Sequence, residues 1–254
     1  MFGAACNLAV AAPCPRKTSM SEKVIRERYD EMAQRYDQRW STYIAKTLSF
    51  LDGWAAISPE AVVLDIGCGT GEFEKLILSK HPKQQITGVD ISPKMLEIAR
   101  RKCQAYPNVV FRAASASALP FSDHSFDVIV SASAFHYFDA PEAVLDEMRR
   151  ILRPGGVLVI LDWCKDYLSC RLGDIVLKLV DPAYQQCYTQ AEFHHLLNSA
   201  RFAIQAATKT RCGLIWWGFM ARGCFSTTSA MFLRAAPEGS AALRIAISVQ
   251  THQQ

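Results

Sequence analysis

The spacing of apolar positions changes near residue 60, and that change divides the chain. From Ser21 onward, Ile25, Tyr29, Met32, Tyr36 and Trp40 recur at steps of three or four, the period of one helical face. Ser21 is the expected N-cap, and a second helix is expected over 42–53, before the turn at Ser58-Pro59. Beyond the turn, short runs that are apolar throughout alternate with amphipathic ones. They predict strands at 61–66, 85–90, 108–113, 126–131 and 157–162, and helices at 72–80, 93–104 and 141–152. Ser92-Pro93 opens the second of these helices, with Pro where its missing N–H costs nothing, and Arg153-Pro154-Gly155-Gly156 ends the third. Strands apolar on both faces and joined by helices mean a parallel sheet covered on both sides, a doubly wound α/β domain.

After Asp162 the alternation stops. A helix is expected over 167–180, and another over 189–199, where Thr189 and Glu192 have the spacing of a capping box. Residues 202–210 and 214–221 read as an antiparallel hairpin turned at Arg211-Cys212-Gly213, with Trp216 and Trp217 in its core. The expected organisation is a disordered leader over 1–20, one domain over 21–221 whose segment 163–190 caps the substrate side, and a tail over 222–254.

Composition narrows the function. The 254 residues are enough for one good core, and half of them are apolar. The 28 basic and 24 acidic residues leave a net charge of +4, too balanced and too scattered to point to nucleic acid. No apolar run reaches the roughly 18 residues of a membrane span. Nine cysteines with no Cys-x-x-Cys pair read as reduced, intracellular residues, not as a disulfide framework or a zinc site, and no metal is expected. Arg16 and Lys17 follow the small apolar residues of the leader, the reverse of a signal peptide. The expectation is a cytoplasmic protein, with Met20 an alternative start; an organelle transit peptide is the other reading. Nothing in the sequence sets the oligomeric state.

The candidate chemistry centres on Asp65-Ile66-Gly67-Cys68-Gly69-Thr70-Gly71, a glycine turn at the carboxyl end of the first strand. A dinucleotide fingerprint beginning at Gly67 would need glycine at position 72, which is Glu72. An acid there competes with a pyrophosphate for the helix dipole. A cationic, phosphate-free cofactor has no such conflict and suits Asp65 and Glu72 as neighbours. Asp90 ends the second strand, where an acid can accept both hydroxyls of a ribose, and Ile91 and Met95 can sandwich an adenine.

The stretches VVLDIGCGTGEFE, GVDISPKMLEIAR, ALPFSDHSFDVIVSASAFHYF and LRPGG, in this order, resemble the class I S-adenosylmethionine-dependent methyltransferases. The nearest group is the small-molecule set with a type 11 methyltransferase domain, which includes the ubiquinone/menaquinone C-methyltransferases. The resemblance covers 21–221. It implies a Rossmann-like, seven-stranded, mostly parallel sheet with helices on both faces and a C-terminal antiparallel hairpin. It implies S-adenosyl-L-methionine as cofactor, a small organic substrate and methyl transfer by in-line displacement. It also implies that Asp65 orders the loop, that Gly67, Cys68 and Gly69 with Gly71 carry the methionine and ribose portions, and that Asp90 binds the ribose. Tyr29 and Tyr36 would close over the cofactor, although both lie on the apolar stripe and packing explains them equally well. Family members commonly have an Asp just before Leu-Pro-Phe; here the stretch is Ala114-Ser115-Ala116. Ser115 offers a neutral hydrogen bond where the family has a charged one, and the Ala116 N–H remains, so a weaker cofactor affinity is expected.

On the substrate side, His136 is either a general base or a substrate-shaping residue, and Asp162 has a similar claim from its place at the end of a strand. Cys68 reads as a small turn residue and not as a nucleophile. Trp163, Tyr167, Leu168, Tyr184 and Tyr188 suggest a small, partly apolar substrate. Cys164, Cys170 and Cys187 share that segment, and because thiolates favour soft ions arsenite is an alternative. A non-catalytic methyltransferase-like binding module is the other.

Overall fold

The computed structural model describes residues 19–211 and 229–237. Helix α1, Met20–Ala55, is one continuous helix and not two. Nothing between Trp40 and Thr42 breaks it, since neither Gly nor Pro occurs there. Its cap is Ser19, two residues earlier than Ser21. The Ser19 hydroxyl accepts from the Glu22 N–H at 3.0 Å, and the Glu22 carboxylate accepts from the Ser19 N–H at 3.3 Å, a complete capping box.

The strands are β1 Val62–Ile66, β2 Gln85–Asp90, β3 Val109–Ala113, β4 Phe126–Ala132, β5 Leu152–Trp163, β6 Phe202–Arg211 and β7 Ser229–Pro237. Between them lie α2 Glu72–Lys80, α3 Pro93–Lys102, α4 Pro141–Ile151, α5 Leu168–Val180 and α6 Gln190–Ser199. The sheet has the order β3-β2-β1-β4-β5-β7-β6. Its first five strands are parallel, and β7 runs antiparallel to both β5 and β6. The Rossmann-like expectation holds.

Two boundaries differ from the pattern. Strand β5 starts at Leu152 and absorbs the Arg-Pro-Gly-Gly turn: Phe126 pairs with Leu152 and Val128 with Val157, so 153–156 bulge out of register. The expected hairpin partner of β6, 214–221 with Trp216 and Trp217, lies outside the described residues; among those described, β6 has another partner. It is Ser229–Pro237, from the stretch read as a tail, inserted between β5 and β6. Met231, Leu233 and Ala235 are buried at every second position, as on a sheet face, and Ala236 beside them is buried as well.

The core lies on both faces of the sheet. Leu64, Ile66 and Phe126 pack with Phe135, Leu145, Met148 and Phe193 on one side. Val63, Val130 and Val159 pack with Leu51, Leu78 and Leu96 on the other. Adjacent residues of β1 therefore serve opposite layers, so the strand reads as a continuous apolar run. The strand order reverses between β2-β1 and β1-β4, and open α/β sheets bind ligands at the carboxyl ends beside such a switch.

Candidate active site

A cleft enclosing about 100 Å³ opens at that switch point, the place where open α/β sheets bind small molecules. The ends of β1, β2 and β4, the 114–117 stretch and the first half of α1 line it. Tyr29, Tyr36, Gly67, Gly69, Asp90, Ile91 and Ala116 all face it.

The glycine loop is held by β2. The N–H groups of Gly67 and Cys68 donate to the Val89 carbonyl at 2.8 and 3.0 Å. Gly69 N–H donates to Asp90 Oδ2 at 2.9 Å, and Ser92 N–H to Asp90 Oδ1 at 2.8 Å. Each Asp90 oxygen keeps acceptor capacity beyond its backbone bond. Burial pushes the Asp90 carboxyl above its ordinary range despite these bonds. Gly67 has φ +79°, and a Cβ there would lie 2.4 Å from the Ala134 Cβ. Gly69 has φ +53°, and a Cβ there would meet nothing within 4 Å. Bare backbone therefore faces open cleft at Gly69, with an acceptor carboxylate beside it, which fits a ribose-bearing cofactor.

Several expected residues are not on the cleft. Gly71 begins α2, and a Cβ there would stand 2.9 Å from the Ala99 Cβ, so its role is close packing of α2 on α3. Cys68 turns its side chain into the core, where burial pushes the thiol well above its usual value. Met95 is fully buried with Ala33 and Ile98 beneath α1, because the first turn of α3 faces that helix and not the cleft. Glu72 pairs with Lys102 at 2.5 Å, which also holds Asp37 at 2.5 Å; Glu72 is not among the cleft residues.

Asp65 is buried, and its Oδ1 has no hydrogen-bond partner. The loop's bonds described above run to Val89 and Asp90 of β2. Burial, with Asp90 adding to it, pushes the Asp65 carboxyl up to about 8. Glu74 is fully buried with both oxygens unpartnered, and burial raises its carboxyl well above the usual range. Gly88, the register partner of Asp65, makes room for it: a Cβ there would lie 2.6 Å from Glu74 Oε1.

Three aromatic rings enclose the other wall. Tyr29 stands edge-on to Tyr137 at 5.4 Å and tilted to Tyr36 at 6.0 Å. Burial raises all three phenols, Tyr137 to about 12, so each is neutral at pH 7. Tyr29 and Tyr36 both pack on Met95 and line the cleft, so the two readings of the stripe are the same surface.

Ser115 donates its hydroxyl to the Glu22 carboxylate, and Glu22 lines the cleft. The sequence reading missed Glu22; the signal was its capping-box spacing from Ser19. It also missed Ser133, Tyr43 and Tyr137. Ser133 has φ +57°, lines the cleft and shares a 2.8 Å hydrogen bond with Tyr43, which accepts from Trp163 Nε1 at 3.2 Å.

His136 and Asp162 are brought together, both buried behind this wall. Asp162 Oδ1 lies 2.6 Å from His136 Nδ1 and 2.6 Å from the Trp163 N–H, and Oδ2 accepts the His136 N–H at 3.2 Å. The imidazole stacks on Trp163 at 4.5 Å and lies 4.3 Å from the Tyr137 ring. Neither residue is among those lining the cleft. The 163–190 segment reaches this turn by its backbone: Gln185 and Gln186 N–H groups donate to the His136 carbonyl at 3.2 and 3.3 Å. Tyr184 and Tyr188 are buried and Leu168 is exposed. Burial raises the Cys164 thiol to about 11 and the Cys187 thiol further, which disfavours the thiolates a soft ion needs. Among the described residues no three His, Cys, Asp or Glu side chains form a metal-binding group.

Comparison with known proteins agrees with this fold. Residues 64–160 match the methyltransferase domain. The demethylmenaquinone methyltransferase of Chlorobaculum tepidum is 33% identical over 207 residues, covering 75% of this chain and 82% of that protein. That of Thermus thermophilus is 41% identical over 102 residues, covering 40% of this chain and only 46% of the relative, so the chain spans under half of that protein's length. The crystal structure of YcgJ from Bacillus subtilis superposes with a TM-score of 0.64 at 22% identity, over 76% of this chain and 99% of that one, and shares the fold. The chain belongs to the class I S-adenosylmethionine-dependent methyltransferase family.

Proposed function

We propose that the protein transfers a methyl group from S-adenosylmethionine to a small, partly apolar organic molecule. The observation that carries this reading is Asp90, both oxygens anchored by backbone N–H groups, standing beside the bare backbone of Gly69. Asp90 would accept the ribose hydroxyls. Gly67 and Gly69 would bear the methionine and ribose portions, and Ile91, Ala114 and Ala116 would flank the adenine. Glu22 supplies the acid that the 114–116 stretch lacks and would accept from the adenine amino group. The cofactor supplies a methyl group made electrophilic by a sulfonium charge. Tyr29, Tyr36 and Tyr137 offer neutral ring faces to a cation and keep water out.

Methyl transfer needs positioning more than covalent machinery, with the acceptor held about 3–3.5 Å from the reacting carbon. Asp162 is a positioning residue, since its oxygens already take three N–H contacts. It holds His136 with the proton on Nδ1, which leaves Nε2 to take a proton from an acceptor hydroxyl, directly or through one water. The relatives that act on demethylmenaquinone make a hydroxylated aromatic ring the first acceptor class to assay.

The first experiment is a calorimetric titration of the full chain with S-adenosylmethionine, beside Asp90→Ala. Binding that the substitution abolishes supports the reading. A folded wild-type protein that does not bind the cofactor overturns it.

A further inference from the structure

Helix α5 is inside out. Its buried residues are Cys170 and Asp174, whereas Leu168, Leu172, Ile175, Leu179 and Val180 are 57–81% exposed. Leu168, Leu172, Ile175 and Leu179 follow one another at steps of three or four, so they form one stripe on one face. The inward face centres on one carboxylate. Asp174 accepts from Tyr184 Oη at 2.8 Å, from the Cys187 N–H at 2.9 Å and from Lys178 at 2.9 Å, with Lys165 at 3.6 Å. The helix is thus pinned to the domain by a buried carboxylate and turns its apolar stripe outward, an arrangement that water alone does not favour.

We propose that this stripe docks on an anionic lipid surface, with α5 lying in the plane of the bilayer interface. Charge selects that occupant. The only acid on α5 is the buried Asp174, and the exposed charges are Arg171 and Lys178, the latter also paired with Asp174, three residues on from Leu168 and Ile175 along one edge of the stripe. An apolar face edged by Lys and Arg is the composition of an interfacial helix. A second copy of this chain fits worse, because pairing through this face sets Arg171 and Lys178 against their own kind with no exposed acid on the helix to answer them. The stretches outside the described residues hold one acid, Glu238, and answer that charge no better. The helix has 13 residues, against about 20 for a span, so it can lie on a bilayer but not cross it. Because α5 hangs on Tyr184 and Cys187, and Gln185 and Gln186 bond the His136 turn, docking sets that side of the molecule toward the lipid.

The test is flotation of the full chain with vesicles of phosphatidylcholine alone or mixed with phosphatidylglycerol, without cofactor or acceptor, so that it is independent of the methyl-transfer reading. Binding is expected to the mixed vesicles and to weaken with salt. The triple variant Leu172→Ser, Ile175→Ser, Leu179→Ser should lower it by about tenfold or more, with melting temperature and S-adenosylmethionine titration unchanged. Arg171→Gln should weaken the preference for the anionic vesicles and leave the folded state intact, Lys178 being kept because it pairs with the buried Asp174. Wild-type protein that does not float, or floats equally well as the triple variant, overturns the proposal. So does a concentration-dependent dimer that the triple variant dissolves. A fall in melting temperature without vesicle binding also overturns it, because the chain itself would then cover the stripe.

Discussion

Glu74 places a second carboxyl beside Asp65 in a layer where neither finds a full set of partners. Both carboxyls are raised by burial, Asp65 to about 8 and Glu74 well above its usual range. An acid whose folded value lies above its unfolded one, near 4, holds more protons folded than unfolded in between. Stability therefore falls as pH rises from about 4 through about 8, where Asp65 ionises, with Glu74 adding to the loss. The melting temperature of the apo protein should drop between pH 6 and pH 9, and Glu74→Gln, which removes one of the two charges, should flatten the drop. A wild-type melting temperature that rises over that range would contradict the assignment. The neighbouring prediction concerns Glu22, whose carboxylate stands where Ser115 cannot supply charge. Glu22→Gln preserves the capping box but removes the charge, and should weaken S-adenosylmethionine binding by about tenfold, the lower bound for a hydrogen bond to a charged group. Ser115→Ala should cost only a few-fold. Calorimetry of the two variants checks the order, and equal affinities would remove Glu22 from the site.

At the scale of elements, the parallel strands and their helices were readable because both sheet faces are buried, so β1, β2 and β4 stand out as apolar runs between punctuating residues. The misreadings have local causes. The sequence expectation divides this stretch near residue 41, yet α1 only changes the surface it covers: Ile25 and Ala33 serve the cleft half, and Leu48, Leu51 and Ala55 the sheet half. Strand β7 is built of Ala, Met and Leu with little β-branching, so its alternation carried a weak signal against the aromatic run before it. Glycines separate by what surrounds them. Gly53, inside α1, has nothing within 4 Å of an added Cβ, so Gly53→Ala should stabilise by about 0.5–1 kcal/mol. Gly71→Ala would press on Ala99 at 2.9 Å and should destabilise by about 1–3 kcal/mol. Gly71 also holds φ +79°, which Ala adopts only with strain, so chemical denaturation of the pair should give opposite signs, and the same sign for both would contradict the described geometry.

Across the whole molecule, the legible part of the site was the part made by consecutive residues: Gly67, Gly69, Asp90 and Ile91 lie on two strand ends that sequence spacing alone locates. What was not legible is assembled from distance. Glu22 meets Ser115 across 93 positions, and Tyr43 meets Ser133 across 90, both because α1 lies over the cleft. The His136–Asp162 contact was half legible, both residues being singled out but not their pairing. This division makes a prediction about dynamics. The first half of α1 contributes Glu22, Ile25, Tyr29 and Tyr36 to the cleft, and a few side chains hold it: Asp30 accepts from Ser92 at 2.6 Å, and Arg28 pairs with Asp181 at 3.1 Å. A ligand filling the cleft should add contacts to this helix and to the ends of β1 and β2 together. Amide exchange over 20–36 should therefore slow on addition of S-adenosylmethionine, while α6 and β6 stay unchanged. The melting temperature should rise with the cofactor's concentration, by an amount equivalent to about 2.7 kcal/mol at a hundredfold excess over Kd. Asp90→Ala should lose both effects at once, since Asp90 joins the glycine loop to Ser92 at the cap of α3, the helix on which α1 rests. Protection confined to the glycine loop, with α1 exchanging as before, would mean that α1 borders the cleft without closing on the cofactor.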